Sequence, residues 1–247
     1  MEVRAEHIKP YDSERAKSVQ VREMFDSIAP AYDRMNRTMS FGIDKQWRRR
    51  AVDIVCGDNP SFIVDLATGT GDLAIAMAEK MPSARFAGLD LSAGMVEIGR
   101  RKVADAGLSD RIELVTGDCL ALPFKDEVAD AVTIAYGVRN FEHLDKGYSE
   151  MFRVLKPGGL LCVVELSTPV NPLVRLFYKL YTRTLIPAIG RMVSKDRRAY
   201  SYLPESIAAV PQGDVMLRLI SEAGFSEPQF RRLTFGVCTI YTARRQK

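Results

Sequence analysis

The chain has little that would staple it, coordinate a metal or carry it through a bilayer. Its four cysteines, Cys56, Cys119, Cys162 and Cys238, stand far apart, and the only histidines are His7 and His143. A structural zinc site wants four N/S ligands, usually in closely spaced pairs, so no metal is expected. The cysteines read as reduced, partly buried small hydrophobes. No run reaches about 18 consecutive apolar residues, so no transmembrane helix is expected. The opening residues, MEVRAEHIKPYDSER, put no apolar stretch behind their charges. No signal peptide is therefore expected, and the cytosol is the default compartment. There is no internal repeat and no low-complexity linker. What remains is a chain of 247 residues, 47% hydrophobic and 27% charged. That composition excludes a disordered chain, a coiled coil and collagen, and the length leaves ample chain for a core. The net charge of +4 permits contact with nucleic acid or an anionic membrane without requiring either.

The first part of the chain reads as helical. Met24, Phe25, Ile28, Tyr32, Met35 and Met39 recur at spacings of three or four, which suits a helical lid packed on the core or one that touches a substrate. From Phe62 the pattern alternates. Short apolar runs at Phe62–Leu66, Ala84–Leu89, Ile112–Thr116, Ala129–Ala135 and Leu160–Glu165 are separated by helical stretches at Asp72–Met81, Ala93–Ala106 and Leu144–Leu155. Buried strands alternating with helices predict a parallel, doubly wound sheet. The end differs. After a helix at Val215–Ala223, two strands at Phe230–Leu233 and Val237–Ala243 meet at a tight Phe235-Gly236 corner. A connection that short forces antiparallel pairing. Between them, Pro169–Arg198 reads as a helical, basic insertion. Leu173, Leu176, Phe177, Leu180, Tyr181, Leu185, Ile186 and Ile189 are apolar, and seven Lys or Arg stand against the single Asp196.

The central chemical signal is Val64-Asp65-Leu66-Ala67-Thr68-Gly69-Thr70-Gly71-Asp72. Its glycines let the backbone turn sharply after a strand and approach a ligand closely. Gly69-x-Gly71 alone serves a nicotinamide dinucleotide as well as S-adenosylmethionine (SAM). Asp90, at the end of the next strand, suits the ribose hydroxyls that both cofactors carry. Separation comes from Gly117-Asp118-Cys119-Leu120 after the third strand, where an acidic group can accept from an adenine amine. Asp130 then begins the fourth strand, and Lys156-Pro157-Gly158-Gly159 turns into the fifth. This ordered set, with the antiparallel end, is typical of SAM-dependent methyltransferases.

Two stretches narrow the family. Tyr32-Asp33-Arg34-Met35-Asn36-Arg37-Thr38-Met39-Ser40 with Trp47, and Arg153-Val154-Leu155-Lys156-Pro157-Gly158-Gly159 through Glu165-Leu166-Ser167, resemble the two signatures of the ubiquinone/menaquinone biosynthesis C-methyltransferases. Gly137-Val138-Arg139-Asn140 and Tyr202–Ile207 are similar to further family segments. Two positions depart from the family pattern: Asp44 stands where a His is usual, and Ala135 where a small hydroxyl residue is common.

The resemblance implies an α/β fold of the class I SAM-dependent methyltransferase type, with a Rossmann-like, mostly parallel seven-stranded sheet and an antiparallel C-terminal hairpin. Residues 1–58 would form a helical N-terminal lid, and 59–247 a SAM-binding domain with an insertion at about 170–200. It implies SAM-dependent C-methylation of a polyprenylated quinol, with demethylmenaquinol the first choice and a benzoquinol not separated by the motifs. Asp65, Gly69, Thr70, Gly71, Asp90, Asp118, Cys119 and Ala135 would hold SAM. Attack by an electron-rich ring carbon on a sulfonium methyl needs alignment, exclusion of water and stabilisation of oxyanion charge. Arg139, whose pKa makes it a poor base, is cast as oxyanion stabiliser or water positioner, with a surface salt bridge as the alternative, and Tyr136 and Asn140 as orienting substrate. Tyr32, Asp33 and Asn36 would close over the ring, and His143 is a candidate base or a structural residue. The isoprenoid tail brings a membrane into view, because the basic surface from Leu173 to Arg198 would dock on anionic lipid. A core-packed lid or a homodimer face would account for the same surface. Nucleic acid is not expected, since no aromatic-interleaved basic stripe suggests stacking. A methyltransferase for another small molecule, a nicotinamide oxidoreductase and a non-catalytic SAM-binding subunit of a quinone-biosynthesis complex stay open at this point.

Overall fold

The computed structural model describes residues 3–11, 14–185 and 197–246. Four helices come first: α1 (Arg4–His7), α2 (Lys17–Ile28), α3 (Tyr32–Met39) and α4 (Asp44–Gly57). Then follow β1 (Phe62–Leu66), α5 (Asp72–Lys80), β2 (Arg85–Asp90), α6 (Ala93–Asp105), β3 (Ile112–Thr116), β4 (Ala129–Ala135), α7 (Leu144–Val154) and β5 (Leu155–Leu166). The chain ends with α8 (Pro172–Leu180), a π-helical turn at Tyr181–Leu185, α9 (Arg197–Ala209), α10 (Asp214–Glu222) and the hairpin β6 (Phe225–Leu233) and β7 (Cys238–Arg245).

The strands form one sheet in the order β3-β2-β1-β4-β5-β7-β6, in which β7 alone is reversed. This is the expected mixed sheet with its antiparallel end. Successive strand side chains point to opposite faces, and the core divides accordingly. Val64, Leu66, Val132, Ile134, Leu161 and Val163 join one buried cluster with residues of α7 and α10. Ile63, Ala131, Cys162 and Val164 join another with residues of α4, α5 and α6. Because both faces are covered, the strands read as continuous apolar runs.

Strands β3 and β4 lie where the pattern placed them. Strand β5 is longer. Lys156-Pro157-Gly158-Gly159 is not a turn ahead of the strand but an irregularity inside it, opposite Ala129 and Ala131. Gly158 takes a left-handed φ of 82°, and the Lys156 amine reaches Asp130 at 2.6 Å, so the extra residues fold away without ending the pairing. Strand β6 begins five residues early, at Phe225, and its pairing shifts between Ser226 and Gln229. The insertion is helical at Pro172–Leu180, but Ile186, Ile189, Arg191 and Lys195 lie outside the described residues. Helix α9, around Tyr202, was not anticipated as a separate element.

The N-terminal helices are fastened to the site end of the sheet by polar contacts. The Lys17 amine is fully buried and donates to the carbonyls of Ala5 (2.7 Å), Arg139 (3.0 Å) and Phe141 (3.0 Å). The Glu142 carboxylate accepts from the N–H groups of Lys17 and Ser18, which open α2, and Glu6 accepts from the N–H of Leu144, which opens α7. Asp26 of α2 accepts from the Ser92 hydroxyl and the Gly94 N–H at the start of α6. The contacts of Glu142, Glu6 and Asp26 to backbone N–H groups satisfy donors that the helix starts leave free. Among the described residues, no helix is long and apolar enough to cross a membrane.

Candidate active site

In an open α/β sheet, ligands bind beyond the carboxyl ends of the strands where the strand order reverses. Here β1 pairs with β2 on one side and β4 on the other. The crevice therefore lies between the loops that leave Leu66 and Ala135. The two loops touch: a Cβ on Gly137 would stand 2.6 Å from Ala67 Cβ, so only glycine allows the approach. In the first loop, Gly71 takes φ 78° as it leads into α5, a left-handed conformation that glycine adopts without strain.

Two buried carboxyls support the loop. Asp65 accepts from the hydroxyls of Thr68 and Thr133, both at 2.6 Å. Burial pushes its pKa up to about 6, although those hydrogen bonds pull the other way. Asp90 accepts from the N–H of Gly69 (2.8 Å) and of Ser92 (2.9 Å). Burial again dominates and raises it to about 6. Each carboxylate keeps lone pairs for a ligand. Such a donor set suits a cation. A dinucleotide pyrophosphate would bring negative charge over Asp65, whereas SAM carries a sulfonium and an ammonium, so the residues present fit SAM.

Three cavities converge on the crevice, and Tyr32 and Tyr136 line all three. The first, about 690 Å³ with its open mouth, holds Gly69, Asp90, Asp118, Cys119 and Ala135. The second, about 410 Å³, holds Asp65, Gly69, Thr70, Asp33, Asn36 and Ala135. The third is the largest, about 990 Å³, and lies under α3, α8 and α9, walled mostly by apolar and aromatic side chains. Within it, two buried polar atoms lack a hydrogen-bond partner: the Tyr136 hydroxyl and Arg139 Nε. An orphaned buried donor costs about 1–3 kcal/mol, and a ligand oxygen between these two would recover it.

Arg139 is held from behind. Its Nη1 donates to Glu165 at 2.8 Å and to the Tyr136 carbonyl, and its backbone N–H donates to the same Glu165. Burial alone would lower the guanidinium's pKa; the Glu165 carboxylate outweighs this and raises it. Arg139 therefore stays charged, which fits charge stabilisation and not proton abstraction.

The structure brings together most of the residues expected from sequence. Gly71 lines no cavity and serves the turn. Asn140 stands at the rim, its side-chain oxygen accepting from the Tyr202 hydroxyl at 3.0 Å. Asp33 accepts from the Thr70 hydroxyl (2.6 Å) and the Lys102 amine (2.7 Å), which ties α3 to the glycine loop. His143 is not brought to the site. It is exposed at the start of α7 and lines none of the three cavities, because the helix it begins leads away from the crevice. Asp44, the departure from the family pattern, is buried and accepts from Ser40 (2.6 Å) and from Arg48. Glu165 and Lys17, which contact the side chain and the carbonyl of Arg139, are not singled out by the sequence reading. Glu165 had a signal, a single carboxylate inside the apolar run Leu160–Leu166.

Comparison with known proteins decides the family. The profile of the ubiE/COQ5 methyltransferase family matches residues 13–245. The chain belongs to this family. It is 51% identical to the demethylmenaquinone methyltransferase of Bacteroides fragilis, over 96% of this chain and 97% of that protein. It is 42% identical to the ubiquinone/menaquinone biosynthesis C-methyltransferase UbiE of Geobacter sulfurreducens, over 93% of this chain and 90% of that one. Among solved structures, a SAM-dependent methyltransferase from Thermotoga maritima, a possible histamine N-methyltransferase, shares the fold with a TM-score of 0.65. It is 18% identical and covers 91% of this chain and 99% of its own. A methyltransferase of the ubiE/COQ5 family requires a methyl donor and an acceptor side by side, and the three cavities that share Tyr32 and Tyr136 leave room for two ligands at one crevice.

Proposed function

We propose that this protein methylates a ring carbon of a polyprenylated hydroquinone, with SAM as donor and demethylmenaquinol as acceptor. The observation that carries this reading is the pair of unpartnered polar atoms, Tyr136 hydroxyl and Arg139 Nε, in a large cavity of mostly apolar and aromatic walls beside the acidic glycine-loop site. An aromatic ring bearing oxygens fits such walls and donors. The names of the relatives supply the choice of a naphthoquinol.

SAM bound in the crevice supplies an electrophilic methyl on a cationic sulfur. The protein's own groups do the rest. Asp90 takes the ribose hydroxyls, Asp118 and Cys119 border the adenine, and Asp65, Gly69, Thr70 and Ala135 enclose the methionyl part. Arg139 and Tyr136 donate to a quinol oxygen and stabilise its phenolate, which makes the neighbouring ring carbon nucleophilic. With SAM held there, the hydroxyl proton given up in forming the phenolate would pass to water. The ring carbon would take the methyl with the C–S electron pair left on sulfur, and the ring proton would move to the phenolate oxygen to restore the aromatic hydroquinone. Opposite charges are consumed, so water exclusion and alignment set the rate. Tyr32, Asp33 and Asn36, on a lid of residues 1–58 over the domain of 59–247, close the space between donor and acceptor, and Asn140 orients the ring's edge. A cytosolic enzyme with such a substrate works at a membrane surface.

Thermal-shift measurements with SAM, S-adenosylhomocysteine and NAD test the donor. Stabilisation by the first two and not by NAD is expected. Labelled methyl transfer to reduced desmethyl naphtho- and benzoquinols tests the acceptor, and the naphthoquinol is expected to react faster. Transfer to neither would overturn the reading.

A further inference from the structure

The mouth of the third crevice cavity is rimmed by an exposed apolar surface built from three separate parts of the chain. Leu173, Leu176, Phe177 and Leu180 follow helical spacing on α8, and each is 60–64% exposed. Phe41, in the turn between α3 and α4, is 72% exposed, and Phe235, at the β6–β7 corner, is 82% exposed. Both phenylalanines take left-handed φ values, 51° and 56°, a strained conformation for a bulky side chain that persists only where the surroundings enforce it.

The three parts are contiguous. The Phe41 ring lies 6.1 Å from the ring of Tyr181, the residue after Leu180. A Cβ on Gly236, next to Phe235, would stand 3.5 Å from Pro169 Cα, just before α8. Each part also faces inward. Met39, Tyr178, Tyr181 and Val237 line the cavity, while their neighbours Phe41, Phe177, Leu180 and Phe235 face outward. Charge is one-sided. Residues 34–43, 166–185 and 228–237 carry two, three and two Lys or Arg, and no Asp or Glu.

We infer that this rim inserts into the headgroup region of an anionic lipid bilayer and holds the cavity mouth against it. An interfacial helix with an apolar stripe and basic flanks binds in this way. The occupant follows from the charge pattern and from continuity with the cavity: an all-basic surround favours anionic headgroups, and a mouth pressed on the bilayer lets a prenylated ring be taken up without bringing its tail into water. The inference rests on the proposed acceptor, but its docking step does not require turnover.

The test is co-sedimentation of the full chain with phosphatidylcholine/phosphatidylglycerol vesicles and with phosphatidylcholine alone. Wild type is expected to bind the anionic vesicles. Leu176→Glu/Phe177→Glu, and separately Phe41→Ser/Phe235→Ser in case the helix variant fails to fold, are expected to bind about tenfold more weakly. Both variants should keep wild-type methyl transfer to a short-tailed quinol in solution while losing it on a long-tailed quinol in vesicles. Equal vesicle binding by wild type and either folded variant, or no binding by wild type, overturns the inference. So does a wild-type dimer that these substitutions split while vesicle binding is unchanged, which would make the face a contact between two copies. Failure of the solution assay with wild type would instead count against the proposed acceptor.

Discussion

The Arg139 guanidinium donates to the Glu165 carboxylate at 2.8 Å, and both side chains are buried beneath the third cavity. Removing one member of a buried pair strands the other charge and costs about 3–5 kcal/mol. Glu165→Gln keeps the shape and one acceptor but loses the charge. It is expected to lower the melting temperature and to reduce kcat by about ten- to a hundredfold, with little change in KM for SAM. Arg139→Leu should abolish most turnover. Steady-state kinetics with thermal unfolding checks both, and wild-type kcat in Glu165→Gln would dissociate the pair from the chemistry.

Tyr136→Phe should act in opposite directions on stability and activity. The hydroxyl is buried without a partner, so removing it leaves the free protein as stable or up to about 1 kcal/mol more stable. Its loss from a quinol oxygen is expected to slow methyl transfer by at least about tenfold. Paired unfolding and activity measurements would expose a purely structural tyrosine, for which both quantities would be unaffected or fall together.

The two raised carboxyls give a signed pH dependence. Burial moves Asp65 and Asp90 from 3.8 to about 6. Between these limits the folded chain holds protons that the unfolded chain has released. Their contribution to stability therefore falls as pH rises from about 4 to about 6 and is flat above. A bound cation lowers both pKa values, so SAM binding near pH 6 should release protons, and near pH 8 should release almost none. Calorimetry in buffers of different ionisation enthalpy measures the release. Proton uptake at pH 6 would contradict the placement of the cation.

Lys17→Met leaves the buried carbonyls of Ala5, Arg139 and Phe141 without their shared donor. At about 1–3 kcal/mol for an unsatisfied buried group, the variant should be clearly destabilised. Hydrogen exchange should accelerate in α1, α2 and the turn at Val138–Asn140 before it does in the sheet. Uniform acceleration would mean that the N-terminal helices are not separately fastened.

Much of the site was legible because its signals are local. The glycine loop follows its strand directly, Asp90 ends the next one, and Arg139 follows the fourth, so spacing alone placed them at one end of the sheet. The contacts that tune the site are not local. Glu165 meets Arg139 from another strand, and Lys17 reaches it across 122 residues; no periodicity encodes such partners. His143 sits four residues from Arg139, yet the start of α7 turns it to solvent. The Lys156–Gly159 segment contains a turn's residues, but pairing on either side draws it into β5. The aromatic wall from α8 and α9 depends on packing that composition does not specify.

The central claim is that one crevice aligns the methyl of SAM with a quinol ring carbon beside Arg139 and Tyr136. Its most direct test is to incubate the purified protein with methyl-labelled SAM and reduced demethylmenaquinol, then locate the label in the product by mass spectrometry with fragmentation. The account predicts one labelled methyl on a ring carbon. Label on a quinol oxygen, or SAM that binds and is never consumed, would contradict it.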